Sequence, residues 1–477
     1  MLFSSLEFLF LFLPLCLAAY YILPYKARNV ILLLFSLIFY AFGEPIYLFL
    51  MIFTILSNYA FAILTEKFSD KKKAARAILA SAIVLNLAIL GFFKYYDPIC
   101  IALSRIPALS FMRPLGLSLP VGISFYTFQS LSYVIDVYRK EASAARSPLV
   151  PATYVTLFPQ LIAGPIIKYN DIEGQIRERH HSLSLIADGI RRFSAGLAKK
   201  VLLANTAGEL WKDLCIPIKA GNADILGAWL AVIFFAFQIY FDFSGYSDMA
   251  IGLGKMFGFD FPENFNYPYI SRSITEFWRR WHITLSSWFR DYVYISLGGN
   301  RRGKARMYLN LFIVWSLTGI WHGAGINFLL WGLYFFLLLS IEKLFLLKLL
   351  EKLPRAFGHI YALVAILLGW LIFAADGAEG SIGASSALYC ARAMFGIRAP
   401  ISSQLSRYEL LRNLVPLFLM CVASLPYFKK LCLYAMRSER LEKYAVPLLN
   451  TASFLVFILC ISYLVNSGYN PFLYFRF

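Results

Sequence analysis

The chain has 477 residues, of which 60% are hydrophobic and only 15% are charged. A soluble globular protein is closer to half apolar and a quarter charged. This composition and a mean hydropathy of +0.64 exclude that class and indicate a polytopic membrane protein. The net charge of +18 sits largely in short links between apolar runs, where it orients a membrane protein. No nucleic-acid partner is therefore expected.

The first third of the chain contains five apolar runs that predict transmembrane helices. The links at 25–29, 66–76 and 139–147 are rich in Lys and Arg, whereas the links between them are not. The positive-inside rule places the basic links in the cytoplasm and the N-terminus outside. The five runs are 4–24, 30–42, 46–65, 77–94 and 119–138.

The middle of the chain, 148–297, is less regular. Its apolar runs are interrupted by Pro and Gly, and irregular backbone at membrane depth persists only where protein or a water-filled cavity satisfies it. We therefore expect re-entrant segments and a cavity in this region. The runs lie near 150–167, 186–205, 224–242 and 246–258.

The last third alternates in the same way around basic links at 301–306, 343–355 and 429–443. Both termini then fall outside, which requires an even number of crossings, about 10–12 in all. The prediction is an all-α polytopic protein of the cell (inner or plasma) membrane, a single membrane-embedded domain over 1–477 with an outward aromatic tail at 467–477. The expected crossings are 307–321, 325–341, 360–375, 413–428 and 445–466.

His322 lies in the sequence Ser316-Leu-Thr-Gly-Ile-Trp-His-Gly-Ala-Gly325, between two apolar runs. The run 307–321 would rise about 22 Å as a helix, less than the hydrocarbon thickness of about 30 Å. The break therefore falls inside the membrane profile, where a titratable group is costly and usually functional. His322 is a candidate general base, and the alternative is a histidine hydrogen-bonded between packed helices. Gly319, Gly323 and Gly325 would allow a substrate or backbone to approach closely.

His282 lies in a segment, 276–292, that contains three tryptophans and three arginines. As a helix the segment would be amphipathic, which fits a helix lying in the membrane interface. The other interpretation is that its arginines neutralise an anionic donor such as a phosphopantetheine or CoA tail. Both interpretations remain open at this point. The arginines are Arg279, Arg280 and Arg290.

Asp242 and Asp248 lie beside an apolar run in Phe241-Asp-Phe-Ser-Gly-Tyr-Ser-Asp-Met249. Acidic groups at such depth face a cavity or pair with a base, and a helix–break–helix structural role fits the segment equally well. No metal-binding or nucleotide-binding motif occurs in the chain, so no metal and no bound cofactor are expected.

Four motifs, by their sequences and their order along the chain, resemble the membrane-bound O-acyltransferase (MBOAT) superfamily. The resemblance is strongest to its bacterial branch for O-acetylation of polysaccharides such as alginate and peptidoglycan. The resemblance covers about residues 1–345 and the extreme C-terminus. The motifs are Trp321-His322-Gly323, Phe277-Trp-Arg-Arg-Trp-His282, Phe241-Asp-Phe-Ser-Gly-Tyr-Ser-Asp248 and Ala163-Gly-Pro165.

The resemblance implies a helical ring around a thin partition, with a funnel from each side. It also implies that His322 is catalytic and that His282, in the same tunnel region, is a further catalytic candidate. The implied reaction takes an acetyl group from a cytoplasmic thioester, acetyl-CoA or another, to an acceptor outside. The implied partners are membrane lipid, a polysaccharide and a periplasmic or extracellular SGNH-type acetyltransferase. Residues expected along the donor tunnel are Trp321, Arg279, Arg280, Arg290, Asp242 and Asp248.

The tail Asn470-Pro-Phe-Leu-Tyr-Phe-Arg-Phe477 resembles the C-terminal aromatic motif of the same branch. By that resemblance Tyr474 would be an acyl relay, with its phenol oxygen as a transient nucleophile. The alternative is an aromatic anchor at the membrane interface, with Arg476 beside it.

Two other functions compete with O-acetylation. A D-alanyl transferase of the teichoic-acid type belongs to the same superfamily, and the C-terminal tail favours acetyl transfer only by resemblance. A transporter or flippase would also contain buried charges and broken helices. The chain lacks paired broken helices in two corresponding halves, which disfavours the transporter.

Overall fold

A computed structural model describes residues 1–377, 381–438, 441–466 and 472–473. Within these ranges the regular structure is helical and no strand occurs, which confirms the all-α class. The chain packs into two compact units, Met1–Phe193 with Met249–Pro262 and Ser194–Asp248 with Glu263–Phe477. The expectation of a single membrane-embedded domain stays a prediction.

The first unit is built from apolar helices joined by short polar links. A reciprocal amide pair between Asn58 and Asn86, with N–O distances of 3.1 and 2.9 Å, joins two of its long helices. Such pairs satisfy buried amides in an apolar setting. The helices are α1 (Leu13–Ile22), α2 (Arg28–Gly43), α3 (Tyr47–Lys67), α4 (Lys72–Leu103), α5 (Ile123–Arg139), α6 (Leu149–Thr156), α7 (Phe158–Leu161), α8 (Tyr169–Arg177) and α9 (Leu183–Ala198), the last of which continues into the second unit.

The expected interruption within 150–167 is present. Leu157 leaves helical geometry between α6 and α7, and a Cβ on Gly164 would lie 2.4 Å from the Cα of Gln160. The chain therefore turns back tightly on itself after α7. With eight residues, α6 rises only about 12 Å, which is too short to cross a bilayer.

The second unit carries the remaining helices, several of them extended by π-helical turns. These turns are Lys199–Ala204, Phe289–Tyr294 and Glu342–Leu346. The helices are α10 (Asn205–Lys219), α11 (Ile225–Met256, whose end enters the first unit), α12 (Ile274–Trp278), α13 (Ile283–Trp288), α14 (Lys304–His322), α15 (Ile326–Ile341), α16 (Leu347–Lys352), α17 (Arg355–Phe373), α18 (Ala384–Met394), α19 (Gln404–Arg412), α20 (Leu414–Ala423), α21 (Tyr427–Arg437) and α22 (Glu442–Asn466).

Among the described residues, six helices are long and apolar enough to span a membrane, or seven if α20 and α21, bent by 56°, form one broken span. Other runs that we expected to cross also form helices, but shorter or more polar ones, such as α5 with 17 residues and α15 with 16. The total of about 10–12 crossings therefore stays a prediction. The six are Tyr25–Gly43, Tyr47–Lys67, Lys72–Leu103, Ile225–Met256, Arg355–Phe373 and Glu442–Asn466.

The predicted break between 242 and 246 is wrong, because α11 runs unbroken for 32 residues. Gly245 does not end the helix but lets another segment approach it. A Cβ at this position would lie 2.8 Å from the carbonyl oxygen of Gly196. A helical glycine costs about 1 kcal/mol relative to alanine, which close packing offsets.

Helices α14 and α15 form a tight antiparallel pair because glycines line their contact. A Cβ on Gly332 would lie 2.3 Å from the carbonyl oxygen of Trp315, and one on Gly319 would lie 2.5 Å from that of Phe328. Both atoms belong to the backbone and cannot swing away. The pair therefore fixes the C-terminal end of α14, where His322 lies.

Gly332→Ala is expected to destabilise the protein by about 1–3 kcal/mol, the usual cost of overpacking a close contact. The measurement is the thermal unfolding midpoint of the purified protein in detergent. Gly91→Ala in α4 is the matched control, because a Cβ there meets nothing within 4 Å. An equal loss of stability in both variants would contradict the proposed role of the contact.

Candidate active site

The second unit encloses a cavity of about 340 Å³. Its wall combines side chains from α11, the segment containing α12 and α13, α14, α15 and α17. His282 and His322 both line it, which brings together two residues that are 40 positions apart in the sequence. Most of the remaining wall is aromatic or aliphatic, so polar groups are few and their positions define the site.

His322 is the last residue of α14 and is only 7% exposed. Its ring meets three aromatic rings nearly edge to face, with centroid distances of 4.8 Å to Trp321, 5.0 Å to Trp331 and 5.2 Å to Phe373. These rings restrict the access of water to the imidazole. The negative end of the α14 dipole lies at the same place and stabilises a positive charge that forms on the ring.

The glycine after His322 serves packing. A Cβ on Gly323 would lie 2.4 Å from the ring of Phe328, so a larger residue would displace that ring. Phe328 in turn packs on Phe373, with ring centroids 5.0 Å apart. The close approach expected at this glycine is therefore made by the protein's own side chain.

His282 does not lie in a continuous amphipathic helix, so that prediction is wrong. Helix α12 ends at Trp278 and α13 begins at Ile283, with His282 in the left-handed region at φ 44° and ψ 54°. Such a conformation costs a non-glycine residue about 1–3 kcal/mol and clusters at functional sites. Trp281 is buried against Trp370 at 4.7 Å instead of facing the membrane interface.

The backbone around His282 is held by the extended segment that follows α11. The amide of Ile283 donates to the carbonyl of Asn264 at 3.0 Å, and the amide of Asn266 donates to the carbonyl of Arg280 at 2.9 Å. These long-range bonds replace the helical ones that the periodicity of 276–292 predicted. Tertiary pairing therefore overrides local helical preference here.

The His282 side chain contacts Asn264, which is completely buried, with 3.1 Å between Nδ1 and Oδ1. His282 lies outside the helices long enough to span a membrane, and burial lowers the pKa of its imidazole to about 3. The ring is therefore neutral at pH 7. Asn264 was not a sequence candidate, because a lone Asn before an aromatic run carries no recognisable signal.

Three cations line the cavity and are also exposed, so they lie where it opens: Arg279, Arg290 and Lys343. Lys343 was not a candidate, because it lies in a link whose charge we assigned to topology. Arg280 does not line the cavity and pairs with Glu276 at 3.0 Å. Two of these cations, Arg290 and Lys343, lie in π-helical turns, and such turns often occur at functional sites.

Asp242 lines the cavity and is held by a buried ion pair. Its Oδ1 accepts from Lys200 Nζ at 2.7 Å, with side-chain exposures of 3% for Lys200 and 4% for Asp242. Its Oδ2 accepts from the amide of Leu473 at 2.6 Å, and Leu473 also lines the cavity. Asp242 therefore joins the end of the chain to the site.

Two other candidates do not line the cavity. Asp248 pairs with Lys199 at 2.6 Å, and Trp321 contacts His322 without lining the cavity itself. Tyr474, the proposed relay, lies outside the described residues.

Comparison with known proteins identifies the family. The model of the MBOAT, membrane-bound O-acyltransferase family, matches residues 140–374. A probable alginate O-acetylase of Pseudomonas aeruginosa is 42% identical, over 80% of this chain and 73% of that protein. Another, from Pseudomonas putida, is 39% identical over the full length of both.

The chain belongs to the membrane-bound O-acyltransferase family. A peptidoglycan O-acetyltransferase of Helicobacter pylori is also 35% identical, over 85% of this chain and 82% of that protein. The resemblance found from the four motifs is thereby confirmed, and the protein is a multi-pass membrane acyltransferase. The cavity with its two histidines lies mostly within the matched region, since His282 and His322 both fall between 140 and 374.

Lys200→Met is expected to destabilise the protein by about 3–5 kcal/mol, because it leaves Asp242 buried without its cation. Adding Asp242→Asn should recover most of that loss, since the buried charge is then gone. Unfolding midpoints in detergent measure both effects. Equal midpoints for Lys200→Met and the wild type would show that the ion pair does not stabilise the fold.

Proposed function

We propose that this enzyme transfers an acetyl group from a cytoplasmic thioester, such as acetyl-CoA, to an acceptor at the outer face of the membrane. The acetyl group is then used for O-acetylation of an extracytoplasmic polysaccharide of the alginate or peptidoglycan kind. The observation that carries the proposal is one cavity with two buried histidines inside and cations at its opening. The named activities of the relatives support the polysaccharide as final acceptor.

The direction of transfer rests on charge. Helix α14 begins within the basic link at 301–306, and Lys343 begins the next basic link. The positive-inside rule puts both links on the cytoplasmic side. Cavity-lining residues run along α14 from Leu311 to His322, a rise of about 16 Å. An extended phosphopantetheine arm has a comparable length, so its anionic end can meet the cations while the thioester reaches His322.

The chemistry assigned to His322 is general base catalysis. The acceptor hydroxyl gives its proton to His322 as its oxygen attacks the thioester carbonyl carbon. The carbon–sulfur bond then breaks, the thiolate takes the proton back from the imidazolium, and an ester and a free thiol are formed. The end of the α14 dipole stabilises the imidazolium between these two steps.

The acceptor hydroxyl in this proposal is the phenol of Tyr474, which follows the cavity-lining Leu473 in the sequence. The acetyl group would then pass to a periplasmic or extracellular SGNH-type acetyltransferase that modifies the polysaccharide. The relay rests on the resemblance of the C-terminal motif, and an aromatic anchor remains its alternative. Both termini are proposed to lie outside the inner or plasma membrane.

The cavity favours acetyl transfer over D-alanyl transfer. A D-alanyl group carries an ammonium, whose burial a carboxylate beside it would offset most directly. Among the described residues that line the cavity, Asp242 is the one carboxylate, and it already binds Lys200 and Leu473. A neutral acetyl group needs no such partner.

His322→Ala is expected to lower O-acetylation by a factor on the order of 10² or more, because it removes the general base. The measurement is the acetate released by mild alkali from the polysaccharide of cells that carry only the variant. His359→Ala is the control, since His359 does not line the cavity. Retained acetylation in His322→Ala, with normal amounts of the variant in the membrane, would refute the assignment.

Tyr474→Phe in the same assay separates the relay from the anchor. Loss of acetylation is the result expected for a relay, and unchanged acetylation would leave only the anchor role.

Replacing Arg279 and Lys343 together with Ala is expected to raise the KM for acetyl-CoA on the order of tenfold with little change in kcat. The cations bind the donor equally in the ground and transition states, and losing such binding affects KM. Thiol release by the protein in liposomes, with the SGNH-type acetyltransferase and the polysaccharide supplied as acceptors, measures both constants. Lys348→Ala, an exposed cation outside the cavity, should leave them unchanged, and an unchanged KM in the double variant would refute the donor site.

A further inference from the structure

Asn264 is held rigidly by contacts to three other residues. Its Nδ2 donates to Ser247 Oγ at 3.1 Å. Its Oδ1 lies 2.9 Å from the hydroxyl and 3.3 Å from the backbone nitrogen of Thr284, and 3.1 Å from Nδ1 of His282. The residue is completely buried, so water does not compete for these contacts.

The backbone contact decides which way the Asn264 amide points. The N–H of Thr284 can only donate, so the atom that faces it must be the oxygen. The same oxygen faces Nδ1 of His282, and an amide oxygen can only accept. Nδ1 must therefore carry a hydrogen whenever this contact is made.

The hydrogen on Nδ1 determines what the rest of the His282 ring offers. The burial that keeps the ring neutral at pH 7 leaves it one N–H, and Asn264 assigns that N–H to Nδ1. Nε2 then carries a lone pair and is a hydrogen-bond acceptor. The ring lines the cavity and is fixed from the side by Phe243, edge to face at 4.7 Å.

We infer that Asn264 is a positioning residue that holds His282 in the Nδ1–H tautomer, so that His282 presents a hydrogen-bond acceptor to the substrate. The group that His282 recognises must therefore be a donor, such as a hydroxyl or the amide N–H of a pantetheine arm. It follows that His282 does not stabilise an oxyanion, which would require an N–H directed at the substrate. The inference deepens the proposed function. It rests on that function only for the chemical identity of the substrate group that donates a hydrogen bond to His282.

The backbone supports this assignment independently of the side chains. His282 is held at positive φ by the bonds of its neighbours, Ile283 to Asn264 and Arg280 to Asn266. One short segment, 264–266, therefore sets both the backbone and the tautomer of the histidine. Left-handed geometry in a non-glycine residue persists where the surroundings over-determine it.

The direct test is nitrogen-15 solid-state NMR of the histidine-labelled protein in lipid bilayers at pH 7, with His282 assigned by the His282→Gln difference spectrum. The expected result is the Nδ1–H tautomer in the wild type and its loss or mixing in Asn264→Leu. Nε2–H in the wild type would overturn the inference. This readout depends on no acetylation activity, so it stands apart from the fate of the proposed function.

Substitutions at Asn264 supply the activity arm, with alkali-released acetate as the measurement. Asn264→Leu is expected to lose activity on the order of 10²-fold, the effect of misplacing a group that positions the substrate, whereas Asn264→Asp keeps an oxygen acceptor and should retain most of it. Thr284→Val and Ser247→Ala each remove one contact of Asn264 but leave its amide in place, so each should lose less activity than Asn264→Leu. Equal losses in Leu and Asp variants, or none in either, would refute the positioning role. If the wild type shows the Nδ1–H tautomer but His282→Ala keeps full activity, His282 takes no part in the proposed reaction.

Discussion

The cavity depends on one physical constraint: backbone N–H groups of irregular segments have no water to bond within an apolar interior, so other groups of the protein must accept from them. The carboxylate of Asp242 accepts from the amide of Leu473. The carboxylate of Glu342 accepts from the amides of Ile274 and Thr275 at 2.6 and 2.8 Å. Each acceptor ties a non-helical or short helical segment to a long helix, and the cavity lies between the segments so held.

The same constraint explains why charge is buried beside an otherwise aromatic site. Asp242 costs free energy to bury, and Lys200 offsets part of that cost from a π-helical turn. The ammonium of Lys200 also lies 4.6 Å from the centroid of the Phe472 ring, where the ring's negative face attracts it. The ion pair therefore fixes two consecutive residues, Phe472 and Leu473, beside the site.

The sequence predicted the groups that disturb an apolar pattern and missed the groups that support them. His322 was recognisable because it interrupts an apolar run, and Asp242 because it is a charge inside one. Asn264, Glu342 and Lys200 were not, since their partners are 18, 68 and 42 positions away. The periodicity of 276–292 predicted a helix for the same reason, because the bonds that break it at His282 come from a distant segment.

The two histidines sit in environments that suit opposite tasks. His322 ends a 19-residue helix, whose dipole stabilises the positive charge that a base acquires. His282 lies where burial disfavours that charge, against an amide oxygen that fixes its neutral tautomer. Different environments for two titratable groups in one site assign different roles to them. In the proposed reaction, His322 would exchange protons in each cycle while His282 would stay neutral and orient the substrate.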